Sequence, residues 1–142
     1  GYVATRSEAF DLWLGDDKPA YVGRYTCTLE EGIDLIHAAG GVCVLAHPWG
    51  RGADQWLPAS YLEKLVSEFG LEGIEVEHPD HDAATRELLF EMGARLGLIR
   101  TGSSDYHGLG KRHHELGCNT TRKSAYKEII RRIKVRGGVL PV

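Results

Sequence analysis

The chain has 142 residues, 42% of them apolar and 26% charged, with a net charge of -3 at pH 7. That balance describes one soluble globular domain and excludes a disordered segment and any overall electrostatic pull toward nucleic acid or membrane. No stretch of about 18 apolar residues occurs, so no transmembrane helix is expected. The three cysteines, Cys27, Cys43 and Cys118, form no C-x-x-C pair. They support neither a disulfide framework nor a zinc ribbon, and a reducing, cytoplasmic setting is the expectation. The first residues have no initiator Met, basic n-region or apolar h-region. They read as a chain that begins in the middle of something rather than as a signal peptide.

Thr5-Arg6-Ser7-Glu8 is a capping-box pattern ahead of Phe10, Trp13 and Leu14, which predicts a first helix stopping near Gly15. Residues 16–24 read as loop. Thr28-Leu29-Glu30-Glu31 is a second capping box, with Leu29, Ile33 and Ile36 at i, i+4, i+7 and Gly40-Gly41 as the stop. Residues 42–46 are a continuous apolar run, as expected for a parallel strand buried on both faces. Pro58 marks a helix start, Leu62, Leu65, Val66 and Phe69 its inner stripe, and Gly70 its end. Residues 73–77 alternate and read as the next strand. Asp82 caps a helix carrying Leu88, Leu89, Met92 and Leu96, stopped by Gly97, and residues 98–101 read as a third strand. A long polar loop and a basic helix over 124–135 complete the series. Many of the 18 glycines fall where helices should stop, which favours short connections. Helices alternating with strands predict an α/β fold with parallel strands.

Two of the predicted strands run into polar residues that carry chemistry. Asp105 and His107 follow residues 98–101 in the run Thr101-Gly102-Ser103-Ser104-Asp105-Tyr106-His107. In an extended chain residues two apart face one side, with Cα atoms about 6–7 Å apart, a separation that suits a divalent metal. His47 ends the run over 42–46 and precedes Pro48, which biases it toward extended backbone. Each has an ordinary alternative, a turn aspartate beside a surface histidine, or a histidine satisfied by main chain. Together they read as His47, Asp105 and His107 ligating a metal at the C-terminal ends of parallel strands, where β/α folds place active sites. Three protein ligands leave positions open for water or substrate.

Glu75, Glu77, His78 and His81 are further donors at the same rim. His78 reads as a rim or substrate contact rather than a ligand. Ser103, in a turn able to present N–H groups to an oxyanion, and Arg51, in a loop where a phosphate could sit, are candidate substrate contacts, the alternatives being an ordinary polar turn and a solvated side chain. Lys111 and Arg112 lie in a similar loop and, as isolated basic residues, read as solvated. His37, His113 and His114 read as solvated. Residues 122–136 hold seven Lys or Arg against one Glu, with Ala125, Ile129, Ile130 and Ile133 as an apolar stripe. That pattern reads as a solvated final helix with cations near its C-terminus, the alternative being an RNA-phosphate surface.

The segments Gly40-Gly41-Val42-Cys43-Val44-Leu45-Ala46-His47-Pro48, Gly73-Ile74-Glu75-Val76-Glu77-His78-Pro79-Asp80-His81 and Thr101 through Gly108 together resemble the PHP (polymerase and histidinol phosphatase) family. The nearest branch is its small bacterial metal-dependent phosphoesterases. Glu8-Ala9-Phe10-Asp11, Pro19-Ala20-Tyr21-Val22 and Leu116-Gly117-Cys118-Asn119-Thr120-Thr121 fit the same pattern. The resemblance implies a distorted (β/α)7 TIM-like barrel and a centre of two or three divalent metal ions (Mn, Zn or Fe). It implies His47, Asp105 and His107 as ligands, Asp105 and His107 as catalytic residues, and nucleotide phosphomonoesters or short oligoribonucleotides as substrates.

The family opens with an H-x-H motif, and none occurs in these 142 residues. The chain therefore reads as the C-terminal portion of the barrel: 1–25 the end of an inserted helical segment, 26–142 the C-terminal half of the domain. Lacking the N-terminal ligands, it is expected to be inactive alone and to need the N-terminal half of the same domain as a partner. Exposed strand edges make self-association an expectation too. The alternative function is a non-catalytic metal- or nucleotide-binding module.

Overall fold

The computed structural model describes residues 1–23, 25–108, 111 and 113–140. Three parallel strands lie in the order β1 (Val44–Leu45), β2 (Gly73–Glu77), β3 (Ile99–Gly102). The described residues also form five α-helices, α1 (Arg6–Ala9), α2 (Leu29–Ala38), α3 (Ala59–Phe69), α4 (Ala83–Arg95) and α5 (Lys123–Val135); α4 packs on β2 and β3, α5 on β3, and α2 on α3. The α/β class and the parallel sheet agree with the sequence reading.

Local signals set most boundaries. Thr28 Oγ1 accepts the Glu31 amide and Glu31 Oε2 accepts the Thr28 amide, closing the capping box that starts α2. Asp82 accepts the Thr85 amide at 2.8 Å to start α4. Gly70 ends α3 at φ +73, the left-handed conformation that a side chain disfavours. The first helix departs from expectation. Thr5 caps the Glu8 amide, but Glu8 turns to the Ala4 amide rather than back to Thr5. After one turn α1 passes into a π-helical turn, Phe10–Leu14, closed by the Gly15 amide on the Phe10 carbonyl. No residue of either turn is buried, and Phe10, Trp13 and Leu14 are close to half exposed.

The strand expected over 42–46 contracts to two residues, and Val44 and Leu45 are only half-buried. The reason is position: among the described residues β1 pairs with β2 alone. The central strand β2 is buried from Gly73 through Val76 instead of alternating, because both of its faces are covered. The core gathers Ile33, Leu62, Leu65, Leu71, Ile74, Val76, Leu89, Met92 and Leu98. Of the apolar residues carried by α4, Leu88 is 58% exposed while Leu89 is fully buried. A 3-10 turn over Gly50–Gln55, absent from the reading, follows β1. The pairing of β2 and β3 slips between Glu75 and Glu77. There a Cβ on Gly102 would lie 2.6 Å from Glu77 Cβ, so only glycine fits.

Helix α5 packs on β3 through half-buried residues and has no fully buried side chain. Its end is held by charge. Glu72, 8% exposed, accepts the Cys43 amide (3.1 Å) and Arg136 (2.7 Å), with Arg132 at 3.5 Å and His37 at 3.3 Å. His37, read as solvated, is thus a partner of this carboxylate. Burial alone would raise the Glu72 pKa, but Arg136, the Cys43 amide and His37 outweigh it and the carboxyl is lowered from 4.5. A carboxyl lower in the folded than in the unfolded state stabilises fully above the unfolded value, and loses that contribution as pH falls through the folded one. Glu72→Gln is expected to cost about 1–2 kcal/mol at pH 7. The gap from the parent should shrink in urea titrations repeated at pH 5, 4 and 3. A gap that stays constant over that range would remove Glu72 from the acid response.

Candidate metal centre

The loops leaving the C-terminal ends of the three strands meet at one place. His47, after β1, His78, after β2, and Asp105, after β3, bring one donor atom each to within 4.8 Å of one another. Three ligands spaced evenly around one ion at a metal–nitrogen distance of ~2.1 Å lie roughly 3.0–3.6 Å apart. The three groups therefore need to close by about an ångström to share an ion. Two imidazoles and a carboxylate suit Zn, Mn or Fe.

Each residue is placed by main-chain and carboxylate bonds. Glu75 Oε2, 7% exposed on the central strand, accepts the His47 amide at 2.8 Å. It braces His47, whose φ is +30 rather than the extended value expected before proline. Asp105 also departs from extended backbone, with φ +47. The two-residue alternation that was to align it with His107 therefore does not operate. Ser103 Oγ accepts the Asp105 amide and the Ser103 amide donates to Glu77 O, so Ser103 shapes this turn. The side chain of Arg51 lies outside the described residues, as does Arg112 altogether.

The histidine tautomers follow from their partners. A main-chain N–H can only donate and a carbonyl can only accept. His78 Nδ1 accepts the Asp80 amide at 3.1 Å. Its ring is fully buried, and burial, the largest influence, holds its pKa below the usual histidine value. Neutral His78 therefore carries its proton on Nε2, which points at Asp105 Oδ2 from 3.5 Å and has no hydrogen-bond partner among the described residues. In that tautomer the N–H faces Asp105 without a hydrogen bond, and His78 must exchange the Asp80 amide before it can ligate.

His107 and His81 are built the other way. His107 Nδ1 donates to Asp105 O (2.7 Å) and His81 Nδ1 to Val76 O (2.9 Å), leaving each Nε2 with a lone pair. A carbonyl behind Nδ1 is the usual support of a ligating imidazole. The His107 ring is 55% exposed and outside the three-residue group; the His81 ring is buried, with Nε2 unpaired among the described residues. His114, read as solvated, is buried, with Nδ1 donating to Ser104 O and Nε2 at 3.3 Å from Asp80 Oδ1.

Arg86 was not singled out in the sequence. From α4 it donates to the carbonyls of His78 (2.8 Å) and His81 (3.1 Å) and reaches Glu77 at 3.3 Å, fixing the loop that carries both histidines. A cation early in a helix, where the dipole disfavours it, was the available signal. Asp105 has further company: Lys111 Nζ contacts its Oδ2 and His107 Nδ1 lies 3.3 Å from its Oδ1. Lys111 is the main cause holding the Asp105 carboxyl below its ordinary value.

No protein-family model matches the chain. It is 34% identical over 110 residues to the 5'-3' exoribonuclease Rnm of Salmonella typhimurium, covering 75% of this chain and 36% of that protein. It is 28% identical over 139 residues to a 3',5'-nucleoside bisphosphate phosphatase of Chromobacterium violaceum, covering 96% and 47%. The crystal structure of a metal-dependent phosphoesterase from Bifidobacterium adolescentis superposes with a TM-score of 0.81 at 34% identity, over 96% of this chain and 46% of that one. The chain thus spans less than half the length of each. By sequence and by fold, the chain is similar to phosphoesterases, enzymes that hydrolyse phosphate esters.

Proposed function

We propose that this chain is the C-terminal portion of a distorted (β/α)7 barrel whose metal centre hydrolyses phosphate esters of nucleotides or short oligoribonucleotides. The observation that carries this reading is the convergence of His47, His78 and Asp105 from three successive strand ends. His47 and Asp105 would hold a divalent ion, with His107 swinging its free Nε2 inward as a further ligand. A bound ion would polarise a phosphoryl oxygen and lower the pKa of a coordinated water. The chain's own residues do the rest. Glu75 fixes His47, Ser103 shapes the Asp105 turn, Arg86 holds the loop after β2, and His78 presents an N–H to Asp105. Residues 1–25 belong, on this reading, to a helical insertion.

The remaining ligands would come from the part of the relatives these 142 residues do not span, so the chain alone is expected to lack turnover. We extend the relatives' substrates to the longer protein: it should release phosphate from nucleoside 3',5'-bisphosphates, or nucleotides from 5'-phosphorylated short RNA, with Mn2+. Chelation should abolish activity and added Mn2+ restore it. His107→Ala should lower kcat/KM at least ~100-fold, as loss of a metal ligand does. Turnover unaffected by chelator would overturn the metal reading. Unaltered kcat/KM in His107→Ala would remove that residue from the centre.

A further inference from the structure

The proposed mechanism gives Lys111 no part, yet its ammonium touches Asp105 Oδ2, the same carboxylate oxygen that faces His78 Nε2. Lys111 is only 18% exposed and Asp105 21%. It sits on the turn after His107, its own amide donating to Gly108 O. Two cations cannot both rest on one small carboxylate without repelling each other. A divalent ion taken up by His47 and Asp105 would therefore expel the ammonium from that oxygen. Lys111 lies only six positions from Asp105 in the chain, so the displaced ammonium stays near the ion. The group that fits between an ammonium and a divalent cation at such range is a phosphoryl dianion, with oxygens for both.

We propose that Lys111 exchanges partners: it neutralises Asp105 before metal binds and holds the phosphoryl group of the ligand afterwards. The proposal rests on the metal reading of this site. It makes two demands of opposite sign. Before loading, Lys111 competes with the metal; after loading, it recruits the anion. A lysine that only braced its turn would favour both events, and one that only paired with Asp105 would leave phosphate binding untouched.

The test uses the 142-residue chain, titrated calorimetrically with Mn2+ and then, Mn2+-saturated, with inorganic phosphate. Lys111→Met keeps the apolar stem and removes the charge; Lys111→Arg keeps the charge and reports on folding. We expect Lys111→Met to bind Mn2+ several-fold more tightly, and its loaded form to bind phosphate about tenfold more weakly, the scale of one charge-assisted hydrogen bond. Lys111→Arg should retain phosphate binding. Weaker binding of both ions by Lys111→Met, or unchanged phosphate binding, would overturn the partner exchange while leaving the metal site standing. Failure of the parent and both variants to take up Mn2+ would overturn the metal reading for this chain, and the exchange with it.

Discussion

Asp105→Ala is expected to abolish the response of the chain to Mn2+. In the parent, a metal at about 100 times its dissociation constant adds ~2.7 kcal/mol of stability. For a domain of this length that raises Tm by roughly 10 °C. Asp105 supplies the only carboxylate among the three converging residues, so without it two histidines remain, one of which carries its proton on the nitrogen facing the site. Thermal unfolding with and without Mn2+ should show the full shift in the parent and less than about 2 °C in the variant, within the scatter expected of residual two-histidine binding. Without metal the substitution is also informative. It releases Lys111 and removes the partner facing His78 Nε2, so the metal-free variant should be slightly less stable than the parent. An unchanged Mn2+ shift in Asp105→Ala would place the ion elsewhere.

Ile74→Ala has the largest expected effect on the fold itself. Ile74 is fully buried in the middle strand, paired with Leu45 on one side and Arg100 on the other. Its Cδ1 lies 3.4 Å from where a Cβ on Gly93 of α4 would be, so side chain and helix are in close contact. Removing three carbons there leaves a cavity between sheet and helix that neither can collapse to fill. The cost should be about 3–4 kcal/mol, with Tm lowered by roughly 10 °C or more. Urea unfolding at pH 7 measures it directly, and a loss below ~1 kcal/mol would mean that the sheet relaxes around the gap. The same change at half-exposed Leu45 should cost far less.

The fold was legible in sequence where local chemistry decides. The Thr28 and Asp82 caps, Gly70 and the buried stripe of Leu62 and Leu65 needed no tertiary information. It was illegible where neighbours decide. Nothing in residues 42–46 tells that one strand pairs on a single side, and nothing in residues 73–77 tells that Glu75 points into a covered face. At the candidate site, His47 and Asp105 were recoverable as polar residues ending apolar runs, but the positive φ at both, which replaces the extended geometry, was not. The roles of His78 and His81 depend on whether a main-chain N–H or C=O faces Nδ1. Spacing carries no trace of that. His114 looked solvated because its partner, the Ser104 carbonyl, lies ten residues back across an irregular loop.

The charged cluster at the end of α5 also bears on how the chain is made. Arg136 reaches Glu72 across 64 positions and the Gly41 carbonyl across 95. A ribosome adding about 5–20 residues per second needs roughly 3–13 seconds to travel from Glu72 to Arg136. During that interval the carboxylate behind Cys43 has no arginine to meet, and β1 and β2 can close only by leaving a charge half desolvated. The sheet is therefore expected to lock late, when the final helix arrives, and the nascent chain to depend until then on chaperones or on an open, hydrated middle.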